Sequence, residues 1–240
     1  MKIINRIISY IFINFFHKQL IIVPIAASKS NADMFSYIYE NNKWDNGKVG
    51  GGGAFYSGPG SHDPELINEY IELLRKIIRL NNIKSICDVG CGDFNVMKQV
   101  IDNNILYNGI DVVDKLIEYN NNTYGQDNMK FKSLDATIPD AILPDADLVI
   151  ARQILQHLDN KSIMILIEKF RKYKYVLITE DIFINASEYN IDKLTGSSIR
   201  INSGVVPEME PFNLKNTVTL LLVRKPEAKT YLRTTLTINY

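Results

Sequence analysis

The chain is poor in the residues that announce a metal centre, a disulfide scaffold or a nucleic-acid surface. Cysteine occurs only at Cys87 and Cys91. Four positions apart around the end of one apolar run, the pair is badly placed to form a disulfide. Two thiols are also too few for a metal site, so both read as small apolar fillers in a reduced compartment. Excess charge is missing as well: 27 basic side chains balance 27 acidic ones. That removes the electrostatic footprint of a nucleic-acid or acidic-membrane binder, and no nucleic-acid partner is expected. The N-terminal apolar stretch, Ile3 to Phe16, is broken by Asn5, Arg6, Ser9 and Asn14 and is too short to span a bilayer cleanly. No internal repeat is visible.

What is present suits one α/β domain with modest extensions: 240 residues, of which 46% are apolar. Asparagine is abundant, and the sequons at Asn121, Asn160 and Asn185 read as by-products of that abundance. Residues 1–28 form a separate apolar segment in which Ile3, Ile4, Ile7, Ile8, Ile11, Phe12, Phe15 and Phe16 recur at near-helical spacing. Three readings stay open for it: an interfacial helix giving peripheral membrane contact through residues 1–20, a cleaved signal, or a segment packed on the domain or a partner. The body is expected to be cytoplasmic, with membrane association through this segment as the alternative.

Residues 29–63 hold Gly50–Gly53 and the run Ser57-Gly58-Pro59-Gly60-Ser61-His62-Asp63. Glycine at this density predicts a loop. Trp44, Phe55 and Tyr56 lie within it, which suits a lid over a ligand better than a plain linker. Asp63 and Pro64 then read as the N-cap and first turn of a helix running to Leu80. Beyond it, predicted strands near 84–89, 106–111, 129–134, 147–152 and 174–180 alternate with helices near 94–103, 113–121 and 160–172. Such alternation implies a doubly wound, mostly parallel sheet. Two β-rich runs, Thr217–Val223 and Lys229–Tyr240, add an antiparallel hairpin. The polar stretch 182–216 reads as an insertion over the site.

Ligands of such sheets bind beyond the carboxyl ends of the strands. Gly90 and Gly92 fall there, between Asp88 and Asp93. The third glycine of a dinucleotide fingerprint is missing, since position 95 is Asn. Asp111 ends the second strand, followed by Val112, and Asp135 ends the third, followed by Ala136. A carboxylate at 111 is placed to take two ribose hydroxyls, one at 135 an adenine amine, and Asp88 or Asp93 an ammonium.

These motifs resemble those of the class I S-adenosylmethionine (SAM)-dependent methyltransferases: Ile86–Phe94, Asp111, Asp135, the fourth strand Asp147–Arg152 and the terminal hairpin. The resemblance covers residues 64–240. It implies a Rossmann-like seven-stranded sheet, SAM as cofactor, and a cofactor site made of Asp88, Gly90, Gly92, Asp93, Phe94, Asp111, Val112, Asp135, Ala136 and Arg152. A narrower likeness to methyltransferases of sugar and surface-glycan biosynthesis rests on Trp44–Ser61, Gly90–Asn95 and Arg152–Leu158. It implies a hydroxyl of a small molecule or glycan as methyl acceptor. Two positions depart from the pattern: Phe94 replaces a glycine, and Gln153 replaces an acid common in the narrower group. His157, after the fourth strand, is the first candidate for the base that a hydroxyl needs. Glu180 and Asp181 are the next candidates. Trp44, Tyr56, Ser61, Arg200 and Asn213 are candidates for acceptor binding, and no metal site is expected. A SAM-binding interaction module, or methylation of protein or tRNA, is the alternative. Oligomeric state is not legible.

Overall fold

The computed structural model describes residues 30–45, 55–225 and 227–240, together with the backbone of two strands. These strands, β1 (Ser9–Ile13) and β2 (Leu20–Pro24), pair antiparallel with Ser9 opposite Pro24 and Ile13 opposite Leu20. The helical spacing read through Ile3–Phe16 is therefore not realised at Ser9–Ile13, where Ile, Phe and Tyr favour extended backbone. The remaining expectations for residues 1–28, membrane contact included, and for Gly50–Gly53 lie outside the described residues. Among the described residues, no helix is long and apolar enough to cross a membrane.

Part of the expected loop is helical. Helix α1 (Asn31–Glu40) opens on Ser30, whose hydroxyl accepts from Asp33 N. A single turn, α2 (Pro59–His62), leads into α3 (Pro64–Leu80). The α3 start follows the sequence signal: Asp63 Oδ1 accepts from Glu65 N at 3.0 Å. After α3, strands and helices alternate as β3 (Ser85–Val89), β4 (Leu106–Asp111), α4 (Asp114–Tyr124), β5 (Met129–Ser133), β6 (Leu148–Arg152), α5 (Asn160–Phe170) and β7 (Tyr175–Phe183). The hairpin β8 (Thr217–Val223) and β9 (Thr230–Ile238) closes the chain. The helix expected at 94–103 is reduced to a 3₁₀ turn at Met97–Gln99. Asn95 explains this: its amide is drawn out to Ser61 O at 2.7 Å, and its N–H bonds to Asp93 Oδ1. Such local bonds compete with helical ones.

The seven-stranded sheet has the order β5-β4-β3-β6-β7-β9-β8. Neighbours from β5 through β7 pair in parallel, and β9 runs against both β7 and β8. One face packs Ile86, Leu148, Ile150 and Leu177 against Ile67, Tyr70, Leu74 and Ile77 of α3. The other packs Cys87, Val149, Ala151 and Val176 against Ile163, Leu166 and Phe170 of α5. Both faces are covered, so β3 and β6 are apolar along most of their length rather than alternating. The chain moves outward from β3 to β5 and returns at β6. The crevice of this α/β sheet lies where that order reverses, beyond the carboxyl ends of β3 and β6.

Candidate functional site

At the end of β3 the backbone turns sharply. Gly90 and Gly92 have φ of +75° and +55°, and a Cβ at Gly90 would lie 2.3 Å from Ile154 Cγ2. Only glycine fits both the conformation and the space. Gly90 N and Cys91 N donate to Ile110 O, which fastens the turn to β4. Phe94 reproduces the missing glycine's conformation with φ +62°. That costs a side-chain-bearing residue roughly 1–2 kcal/mol. Its ring is buried against Tyr107, Tyr124 and Phe131 at 5.0–5.2 Å, which offsets the cost.

Beyond this turn lies a cavity of about 560 Å³, within the range of small-molecule sites. Gly90, Gly92, Asp111, Val112, Asp135, Ala136 and Arg152 line it, so the ends of β3 to β6 converge there. Asp111 Oδ2 accepts from Gly92 N and Oδ1 from Val113 N, both at 3.2 Å. Burial pushes its carboxyl up to about 6, against the pull of those N–H groups. Asp135 accepts from Thr137 N at 2.9 Å and from Asn31 Nδ2 at 3.2 Å.

Asn31, Phe35 and Tyr39 form a wall of the cavity. They recur every fourth residue on α1, and that helical period was the signal in the sequence that could have found them. Ser57 ties the glycine segment to the sheet: Ser57 N donates to Asp93 Oδ2 at 2.9 Å, and Asp93 N donates back to Ser57 Oγ at 2.8 Å. His62 Nε2 meets the same Asp93 oxygen at 2.6 Å. Arg152 completes the closure by donating to Gly60 O at 2.7 Å.

The far wall carries Trp44, Ser61, Gln153, Gln156 and His157. The Trp44 and His157 rings meet edge to face at 4.6 Å. His157 is 7% exposed. Burial, aided by the Lys193 and Arg200 charges, lowers it to about 4 against the pull of the Gly196 and Ser198 backbone. It is therefore neutral at pH 7. A histidine depressed from about 6.5 binds fewer protons folded than unfolded between pH 4 and 6.5. Its contribution to stability is complete above pH 6.5 and is lost as pH falls through that window. Relative to His157→Asn, the native chain is expected to lose about 3 kcal/mol more between pH 7 and 4, at about 1.4 kcal/mol per pH unit. Parallel urea unfolding of the two proteins at each pH checks this; identical pH dependence would contradict a buried neutral imidazole.

Several sequence candidates sit elsewhere. Asp88 is buried behind the turn, where it accepts from the Tyr107 hydroxyl at 2.7 Å. It lines a separate void of about 30 Å³ with Asp93, Tyr70 and Arg152. Asp93 and Phe94 shape the turn from outside the main cavity. Tyr56 stacks on His62 at 4.5 Å and does not line the cavity. Glu180 is 1% exposed. It accepts from the backbone N–H of Ile154, Leu155 and Gln156 and so caps the 3₁₀ turn at 155–157. Asp181 accepts from Gln153 Nε2 and the Thr230 hydroxyl. Arg200 spends its guanidinium on Ile191 O, Leu155 O, Leu158 O and Asn160 Oδ1. Asn213 occupies a left-handed position in the turn before β8. The 182–216 segment contributes Ser197 and Ile199 to the cavity instead.

No protein-family model matches the chain, and no curated protein matches it in sequence. Solved structures do. The N-methyltransferase NodS from Bradyrhizobium japonicum WM9, in complex with S-adenosylhomocysteine, superposes with a TM-score of 0.54 at 11% identity over 74% of this chain and 90% of its own. Magnesium protoporphyrin IX methyltransferase ChlM from Synechocystis PCC 6803, with SAM bound, gives 0.57 at 11% identity over 90% and 100%. The N-terminal domain of EvdMO1, in the presence of S-adenosylhomocysteine and D-fucose, gives 0.55 at 12% identity over 90% and 100%. At these identities the likeness is one of fold. The chain has the Rossmann-like α/β fold of the class I SAM-dependent methyltransferases, as the sequence motifs implied.

Proposed function

We propose that this protein is a SAM-dependent methyltransferase acting on an oxygen of a small-molecule or glycan acceptor. The observation that carries the reading is the placement of two carboxylates, Asp111 and Asp135, at successive strand ends on one cavity floored by a glycine turn. The residues fit the cofactor. Gly90, at φ +75° and packed under Ile154, turns the backbone along the cavity floor where only glycine fits. Asp111 accepts from the ribose hydroxyls, and Asp135 accepts from the adenine amine. Arg152 Nε–H, buried without a partner, is a donor for the carboxylate of the amino-acid end. When bound, SAM supplies an electrophilic methyl group on a sulfonium. The protein supplies proximity and alignment for an in-line displacement. Phe35, Tyr39 and Trp44 give the cavity an aromatic wall.

The test is calorimetric titration of the full chain with SAM and with S-adenosylhomocysteine. Micromolar binding of both is expected, and a folded protein that binds neither overturns the reading. Transfer of label from methyl-labelled SAM to a sugar or small-molecule pool separates an enzyme from a SAM-binding interaction module.

A further inference from the structure

Residues 57–62 bridge the ends of β3 and β6 and are fastened on both sides. On the β3 side, Asp93 Oδ2 accepts from Ser57 N at 2.9 Å and meets His62 Nε2 at 2.6 Å. Asp93 N donates back to Ser57 Oγ at 2.8 Å, and Asn95 Nδ2 donates to Ser61 O at 2.7 Å. On the β6 side, Arg152 donates to Gly60 O at 2.7 Å. The seat is close at both ends. A Cβ on Gly92 would lie 2.5 Å from Ser57 Oγ, and one on Gly60 would lie 2.1 Å from Gln153 Oε1. The Gln153 amide has little room to yield, since it accepts from Arg152 and donates to Asp181.

Ser57, Gly58, Gly60 and Ser61 line the cavity together with Gly90, Gly92 and Asp111, so this strap is one wall of the proposed cofactor site. The side chains that fasten it on the β3 side stand apart from that wall: Asp93, His62 and Asn95 do not line the cavity. Their bonds to the strap need no ligand and are available whether the cavity is empty or filled. A contact of equal strength in both states cancels from the binding equilibrium. It does not cancel from the rates when the strap has to lift before a ligand can pass.

We infer that residues 57–62 form a strap that lifts for the cofactor to enter or leave, and that Asp93 is the positioning residue that holds it down. The inference rests on the SAM reading of the cavity. It assigns the Asp93 carboxylate to His62 and Ser57 rather than to the ammonium of the cofactor. Each turnover exchanges one S-adenosylhomocysteine for one SAM, so the clasp also sets a ceiling on turnover.

Binding of S-adenosylhomocysteine to the immobilised full chain, followed by surface plasmon resonance, gives both rate constants and Kd. His62→Phe keeps the ring that stacks on Tyr56 and loses the bond to Asp93. Association and dissociation are both expected to quicken about tenfold, with Kd within about threefold of the native value. Asn95→Ala, which releases Ser61 O, should move both rates in the same direction. His62→Gln, whose amide can still donate to Asp93, should lie nearer the native chain. Faster dissociation alone, with Kd weakened to match, would make the strap a fixed wall and overturn the inference. Unchanged rates in both His62→Phe and Asn95→Ala would overturn it as well. Failure of S-adenosylhomocysteine to bind the native chain would instead overturn the cofactor reading beneath it.

Discussion

Replacing Asp111 by Asn is expected to weaken S-adenosylhomocysteine binding by about 10- to 100-fold, because hydrogen bonds to a charged acceptor are worth roughly 1.5–3 kcal/mol. Asp111 stands at the end of β4, where its oxygens are already oriented by Gly92 N and Val113 N. That leaves its remaining lone pairs for two neighbouring hydroxyls, at no further cost in side-chain freedom. The carboxyl is pushed up to about 6 by burial, with the Asp93 charge adding to the rise. Binding should therefore fall as pH drops below about 6 in the native protein, since protonation removes the charge that accepts. In Asp111→Asn the profile should be flat through the same window. Calorimetry between pH 5 and 8 measures both proteins. An Asn variant that binds as tightly as the native chain would remove Asp111 from the cofactor site. The substitution also turns an NH₂ group toward a backbone N–H, so melting should be followed in parallel to separate lost affinity from a loosened turn.

The largest effect on stability is expected at Arg200. Its guanidinium holds the carbonyls of Leu155, Leu158 and Ile191 and the amide oxygen of Asn160. It thereby stitches the 182–216 segment to the turn that carries His157. Desolvation lowers its pKa while the charges of Glu180, Asp192 and Asp159 support the protonated form. Arg200→Met keeps most of the aliphatic stem but leaves several buried carbonyls without donors. A loss of about 3–5 kcal/mol is expected. At roughly 2–4 °C per kcal/mol for a chain of this size, Tm should fall by about 10 °C or more. Differential scanning calorimetry decides it. A change of Tm within a degree or two would mean that the carbonyls find water instead and that the segment is not anchored there.

The two sites differ in how far they could be read from residue order. Gly90, Gly92 and Asp111 were legible because their roles are local: a strand end, a turn with positive φ, and a carboxylate at the next strand end. The α3 cap at Asp63 and the β8–β9 hairpin are local in the same sense. Arg200, Glu180 and Asp181 looked like ligand-facing polar groups, because burial and partners are not written in the chain. Their partners lie 9 to 49 residues away, and the fold alone brings them together. Helix α1 was hidden for another reason. Its Asn31, Phe35 and Tyr39 face is short and followed by glycines, and its anchors, Asp135 and Ser57, are distant in sequence. Residues 94–103 show the converse, where a helical pattern loses to the pull of Ser61 and Asp93 on Asn95.

By itself, the sequence determined the α/β class, the strand ends and the glycine turn, because backbone conformation and apolar periodicity act between near neighbours. Tertiary structure decided which polar side chains face the cavity and which are consumed in building it. It also decided that His157 is buried between Trp44 and Gln156, whose side-chain oxygen in turn accepts from Asp181 N. Hydrogen-bond donors and acceptors acquire their roles from the partners that folding supplies, and those partners are remote along the chain.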